Sequence, residues 1–310
     1  MLVLFAGHVM FDHFVWSVAV VPLLVLTVGH LLVDRLRPDL AVRVFVWTTA
    51  ATAVAAAVTL AGFAVKAVAE VPAVAVFGGW SHETVAADTA RVPWVSWLSL
   101  VWCVAAGVEV ARMVRRWRRA RVAADRVAEA MPESGQVVVV PSGSADAFAL
   151  PGRAPRVVVT TALRDLLDAD RLAVVIAHER SHLDHRHHDL VWLTRLGAAI
   201  HPVLRPMVGR VEYLAERAAD EAAAASVGDR RRVAEALSVA ALHTSGARGL
   251  AGALHLGSRL GQVPRRVMAL LGESVQRRFP VVVPILVAVS TLVWTGECVY
   301  DLQELLRLAT

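Results

Sequence analysis

Four apolar blocks with charged flanks constrain this chain more than any other feature of its sequence. Phe45 to Val65 carries no charged side chain and is bracketed by Arg43 and Lys66. As a helix it is about long enough to cross a ~30 Å hydrocarbon core. Phe14 to Val33 is a second block, broken by Pro22 and His30. Val92 to Val110 is a third, with Glu109 near its end, and Phe279 to Gly296 a fourth, between Arg277–Arg278 and Glu297. One such block suits a buried core helix, but four do not suit a water-soluble globule. The chain is 56% hydrophobic and only 19% charged, which points the same way. The lipid bilayer is therefore the first expected partner.

Arginine placement predicts the orientation. Arg112, Arg115, Arg116, Arg118, Arg119 and Arg121 follow the third block. Such a cluster stays in the cytoplasm. Arg35, Arg37 and Arg43 after the first block, and Arg277–Arg278 before the fourth, fall on the same side if spans alternate. The loop from Lys66 to Arg91 has basic residues only at its ends and is expected outside, with Trp80, Trp94 and Trp97 near that interface. Both termini are then outside, in a multi-pass plasma-membrane protein. The net charge of +5 comes mostly from these signals. The arginine run abuts a span and has no stacking aromatic beyond Trp117, so no direct nucleic-acid partner is expected. Met1 to Leu4 lacks a basic leader, and Phe14 to Val33 is expected to remain as an anchor. Cys103 and Cys298 belong to no ligand pair and read as small apolar packing residues.

These signals predict a three-span membrane region over 1–119 and a cytoplasmic domain over 120–276. A fourth span with a short extracellular tail covers 277–310. In the middle region, Gln136 to Val140 and Arg156 to Thr161 are β-branched runs that read as strands. Asp146, Ala147, Phe148, Ala149 and Leu150, ending at Pro151–Gly152, read as a short edge strand. The fold class is a mostly α integral membrane protein, with a cytoplasmic α+β domain inserted between transmembrane helices 3 and 4.

The middle region also carries the chemistry. His178-Glu179-Arg180-Ser181-His182 reads H-E-x-x-H at the end of the apolar run Leu172 to Ala177, behind Asp168 as a plausible helix N-cap. On a helix, i and i+4 share a face, so His178 and His182 can aim both imidazoles at one metal ion. Glu179 is turned about 100° away, which keeps it off the metal and free to act as general base toward a water, as in zinc peptidases.

A third ligand is needed. His188 stands ten residues after His178, but the pattern that uses that spacing turns the chain at a glycine, and His185 stands there instead. In an unbroken helix His188 would lie about 15 Å along the axis, so His185, His187 and His188 read as a solvated helix end. Glu216 and Asp220 form E-x-x-x-D on a second predicted helix. Glu216 would complete a His-His-Glu set with an open fourth position, and Asp220 would fix an imidazole tautomer. Glu212 is the fallback ligand. The alternative is a solvated acidic pair with Arg217 as its partner.

Thr160 to Leu163, Leu172 to His182, and Glu216 with Asp220 together resemble the core of integral-membrane gluzincins. Two branches share that core: the Ste24/HtpX-like proteases and the BlaR/MecR-type antirepressor peptidases. The order of three spans, a cytoplasmic zinc domain and a fourth span resembles the second. Leu190 to Met207, with His201–Pro202, is similar to that branch's segment before the third ligand, with His in place of Asn. Val263 to Val267 resembles its late "P…RI" segment, which implies that Arg266 faces the active site or the oxyanion. Lys66 is the only lysine and Phe63 stands three residues before it, so the branch's S-x-x-K β-lactam chemistry is not expected.

The combined expectation is a zinc metalloendopeptidase holding one Zn²⁺ per chain on His178, His182 and Glu216, with Glu179 catalytic. Substrate is expected to add as a strand to Asp146–Leu150. The resemblance implies a cytoplasmic transcriptional repressor, or the chain itself, as the protein substrate. Membrane-protein quality control is the alternative activity, and a non-catalytic signalling scaffold with structural zinc the alternative of another class.

Overall fold

The computed structural model describes residues 11–88, 90–131, 135–244, 262–272 and 282–310. The chain opens with two long helices, α1 (Phe11–Leu32) and α2 (Pro38–Ala69). Two short ones follow, α3 (Pro72–Gly78) and α4 (His82–Asp88), before the long α5 (Trp94–Glu129). Three strands come next: β1 (Val137–Val140), β2 (Ala147–Leu150) and β3 (Arg156–Thr160). Then come α6 (Thr161–Leu166), α7 (Ala169–Asp184) and α8 (His187–Ile200), and a 3-10 turn at Pro202–Leu204. Helices α9 (Arg205–Val227), α10 (Arg230–Thr244), α11 (Val263–Leu271) and α12 (Val282–Ala309) complete it.

Helices α1, α2, α5 and α12 are long and apolar enough to span a bilayer, and they flank the candidate metal residues in sequence. The chain is a multi-pass membrane protein. Helix α2 is central: 61% of its apolar window is buried, against 17% for α5 and 22% for α12, which turn Val101, Val104, Leu286 and Leu292 outward. Outward apolar side chains on three or four turns of one helix suit lipid rather than water.

Packing ties the first two spans to the middle region. Helix α5 runs without a break through residues 119 and 120 to Glu129, because its Arg- and Ala-rich continuation is itself good helix former. Val21, Val25, Val42 and Phe45 of the first two spans share one apolar cluster with Val191 of α8 and Leu204, Met207 and Val211 around the start of α9. At Gly197 a Cβ would sit 3.3 Å from the Thr49 methyl and 3.4 Å from Ala53 Cβ, so a residue without a side chain brings α8 close to α2. Helix α12 continues to Ala309, whose carbonyl accepts from the Ser81 backbone N–H at 2.9 Å.

Pro22 shapes the first span. It has no N–H to offer the carbonyl four residues back. The preceding turn, Val15–Val20, is π-helical. The Val18 carbonyl, four residues before Pro22, instead accepts from His201 Nε2 at 2.9 Å. Trp102 of α5 donates from Nε1 to the Ile200 carbonyl at 3.1 Å. Spans one and three thus fix the His201–Pro202 turn that aims α9.

The sheet order is β1-β3-β2, with β1 parallel and β2 antiparallel to β3. The strands match the expected runs to within a residue, and β2 lies at an edge. Thr160 ends β3 and caps α6, its hydroxyl oxygen accepting from the Leu163 N–H at 3.3 Å.

Candidate metal centre

Helix α7 starts where Asp168 Oδ1 accepts from the Arg171 N–H at 2.8 Å, an N-cap that satisfies a free donor of the first turn. Its apolar face, Leu172, Val175 and Ile176, packs on Val157 and Val159 of β3. Val174 packs instead on Ala223 and Ala224 of α9. Clamped between sheet and α9, α7 presents His178 and His182 toward Glu216.

His178 Nε2 and His182 Nε2 lie 3.2 Å apart. Glu216 Oε2 is 3.6 Å from the first and Glu216 Oε1 is 3.7 Å from the second. Two ligands about 2.0–2.1 Å from a tetrahedral zinc stand about 3.3 Å apart. The two imidazole nitrogens match that spacing, and one Glu216 oxygen faces each of them. One ligand atom from each of the three residues lies within 4.8 Å of the others, which fits a Zn²⁺ site. Among the described residues this is the one His/Cys/Asp/Glu cluster with metal-holding geometry, and it accounts for one Zn²⁺ per chain. Glu212 is not part of it; its carboxylate pairs with Arg195 at 2.6 Å.

Each imidazole is held from behind. His178 Nδ1 lies 3.1 Å from Asp220 Oδ1. His182 Nδ1 lies 3.0 Å from His187 Nδ1. The second contact overturns the expected solvated helix end. Helix α7 stops at Asp184, the chain reverses through Arg186 at φ 54°, and His187 returns with only 2% of its surface exposed. The turn needs no glycine because Arg186 itself takes the left-handed conformation. His185 remains exposed, and the His188 ring centre lies 6.1 Å from that of His182, outside the cluster. The signal in the sequence was the run of histidines after His182, whose role depends on where the helix ends.

Arg266 is the buried counter-ion of the site. Its Nε and one terminal nitrogen donate to both Asp220 oxygens at 2.8 and 2.7 Å, and the other terminal nitrogen lies 2.8 Å from Glu216 Oε2. It is 2% exposed, so its partners are these carboxylates rather than an oxyanion in the cleft. Arg217, the partner in the alternative reading of a solvated acidic pair, turns away to Asp34 at 3.9 Å.

These contacts set the charges. Burial opposes charge on His178, but hydrogen bonds to Asp220 and Glu216 outweigh it and push the imidazole up to about 10. Burial, reinforced by the neighbouring His178, holds His182 well below the ordinary imidazole range. Burial and His185 take His187 down to about 3. Burial also works against ionised Glu216 and Asp220, yet the Arg266 guanidinium keeps both below the usual carboxylate range.

Glu179 points elsewhere. Its Oε2 accepts from the Ala149 backbone N–H of β2 at 2.9 Å. The Asp146 carbonyl accepts from the Thr160 N–H, which turns the backbone of Asp146, Phe148 and Leu150 toward β3. Backbone groups of Ala147 and Ala149 therefore lie on the open edge, beside the metal cluster.

Two histidines and a glutamate at zinc spacing, beside a carboxylate on an open strand edge, define a zinc metallopeptidase centre in a membrane protein. Residues 112–276, more than half of the chain, match Peptidase family M48, and the chain belongs to that family. No curated protein matches it. No solved structure matches it. The protein is a membrane-associated zinc metalloendopeptidase of family M48.

Proposed function

We propose that this endopeptidase cuts a protein at the cytoplasmic face of the plasma membrane, in regulated proteolysis of the BlaR/MecR kind. The observation that carries the chemistry is the Glu179 carboxylate, 2.9 Å from the Ala149 N–H on the open edge of β2 and adjacent in sequence to His178. Zn²⁺ bound by His178, His182 and Glu216 supplies a Lewis acid for the scissile carbonyl and lowers the pKa of water toward ~7. Substrate adds as a strand along Asp146–Leu150, pairing with the outward backbone groups of Ala147 and with the Ala149 carbonyl, while the Ala149 N–H holds Glu179. Glu179 takes the proton of the attacking water and passes it to the leaving amine. Asp220 holds the Nδ1 proton of His178, which keeps Nε2 turned to the metal.

The substrate in this reading is a cytoplasmic transcriptional repressor or the chain itself. Its support is the order of three apolar helices, the region that carries the metal cluster, and a fourth apolar helix, together with arginines whose placement favours that region inside. The test compares new protein N-termini in cells expressing the wild type and Glu179→Gln. Glu179-dependent cuts in a soluble DNA-binding protein, or in this chain, are expected. Cuts confined to misfolded membrane proteins would replace the reading with quality control. Zinc without any Glu179-dependent cut would leave a scaffold.

A further inference from the structure

A cavity of about 270 Å³ adjoins the metal ligand His182. Arg121, Arg186 and Asp189 line it, with Pro151 and Gly152, the two residues that follow β2. His188 borders it as well. An extended substrate paired with Ala147 and Ala149 runs past Pro151 and Gly152, so one of its side chains reaches this space. Successive residues of such a strand advance about 3.3 Å, which places that side chain within a few residues of the scissile bond.

Among the side chains that line the cavity the charges do not balance; the nearby Asp125 carboxylate sits behind Gly152 and accepts from the Arg153 backbone N–H at 3.0 Å. Asp189 Oδ1 takes a hydrogen bond from Arg121. Asp189 Oδ2 takes one from Arg186 Nε at 2.9 Å, and a terminal nitrogen of Arg186 lies 2.8 Å from the same oxygen. Two guanidiniums thus share one carboxylate. Arg121 is held there by its own helix. It stacks 4.6 Å over the Trp117 ring, which in turn stacks 4.6 Å from Trp192 of α8. Arg186 is held at a cost. It is the only non-glycine residue with positive φ among the described residues. A side chain in that conformation is less favourable than in the right-handed region, because Cβ crowds the following carbonyl oxygen. Glycine would make the same turn without strain, but it would bring no guanidinium to the cavity.

We propose that this cavity is a subsite for an acidic substrate side chain, a glutamate or aspartate near the scissile bond, whose carboxylate joins Asp189 to pair two carboxylates with Arg121 and Arg186. Guanidinium forks favour carboxylates over neutral amides of the same shape. The inference rests on the endopeptidase reading and adds its substrate preference.

Two measurements on the full-length protein in uncharged detergent test it. The first is binding by the Glu179→Gln protein of two fluorescent ten-residue peptides, one alternating Val and Glu, the other Val and Gln. The acidic peptide is expected to bind about tenfold more tightly at low salt. The difference should vanish in Arg121→Gln and in Arg186→Gly and persist in Arg118→Gln, which removes an exposed arginine outside the cavity. Arg186→Gly suits the turn, so a melting temperature no lower than that of the wild type certifies its fold. The second is digestion of a random peptide mixture by the zinc-loaded wild type. An acidic residue should be enriched at one fixed position from the cut, and Arg186→Gly should lose that enrichment. Equal affinities overturn the proposal. So does a preference that survives both cavity substitutions, or one that falls equally in Arg118→Gln. A wild type that binds the acidic peptide selectively yet cuts nothing would uphold the subsite and sink the endopeptidase reading.

Discussion

The Nδ1 atoms of His182 and His187 lie 3.0 Å apart, so one ligating imidazole is oriented by the first turn of the next helix. With His187 neutral, His182 donates its Nδ1 proton to it and keeps Nε2 for the metal. Outer partners of this kind are worth about 10–100-fold in metal affinity. His187→Ala should weaken zinc binding by that amount in a chelator competition, whereas His188→Ala should stay near wild type. Glu216→Ala should release zinc under mild chelation. A His187→Ala protein of wild-type affinity would show that the contact orients nothing.

Arg266 separates two buried carboxylates that face the same side chain. Removing it leaves Glu216 and Asp220 unpaired in the interior, a change that costs about 3–5 kcal/mol when one partner of a buried ion pair is deleted. Arg266→Ala should destabilise the zinc-free protein by about that much in chemical unfolding. A loss under about 1 kcal/mol would mean that the carboxylates find other partners or take up protons at little cost.

Zinc uptake should release protons. The His178 imidazole is pushed from 6.5 up to about 10, against the opposing effect of burial, by its hydrogen bonds to Asp220 and Glu216. A raised folded pKa adds stability that is fully present below the unfolded value. For His178 that stability is lost as pH rises from 6.5 through about 10. At pH 7.5 the zinc-free site therefore holds a proton on His178 that the metal must displace. Calorimetric titration with zinc in two buffers of different ionisation enthalpy should report about one proton released. Zero release at that pH would contradict the charge assignment of His178.

Orientation is open to labelling. With Cys103 and Cys298 first changed to alanine, a cysteine at Ser144 should resist a membrane-impermeant thiol reagent in intact cells, and one at Ser81 should react. Each arginine near the anionic inner leaflet is favoured by about 1 kcal/mol. The arginines from Arg112 to Arg126 therefore weigh heavily against the Lys66–Arg91 loop. The reverse pattern would put the zinc outside and remove a cytoplasmic repressor from consideration.

Periodicity and spacing alone carry the four spans, the three strands, the Asp168 cap and the pair His178 and His182, with Glu216 as the leading candidate for the third ligand. Those features depend on nearest neighbours: side chains one helical turn apart must share a face, and a long uncharged helix must meet lipid or a core. The tertiary structure decided what depends on where the chain turns. Arg186 breaks the helix after Asp184 and brings His187 back under His182, a contact that the residue count could not distinguish from a solvated helix end. Arg266 reaches Glu216 and Asp220 across some fifty residues, so the counter-ion of the site is Arg266 rather than the adjacent Arg217. The shared core of α1, α2, α8 and α9 likewise joins regions that hydropathy divides, because burial is a property of packed surfaces and not of segments.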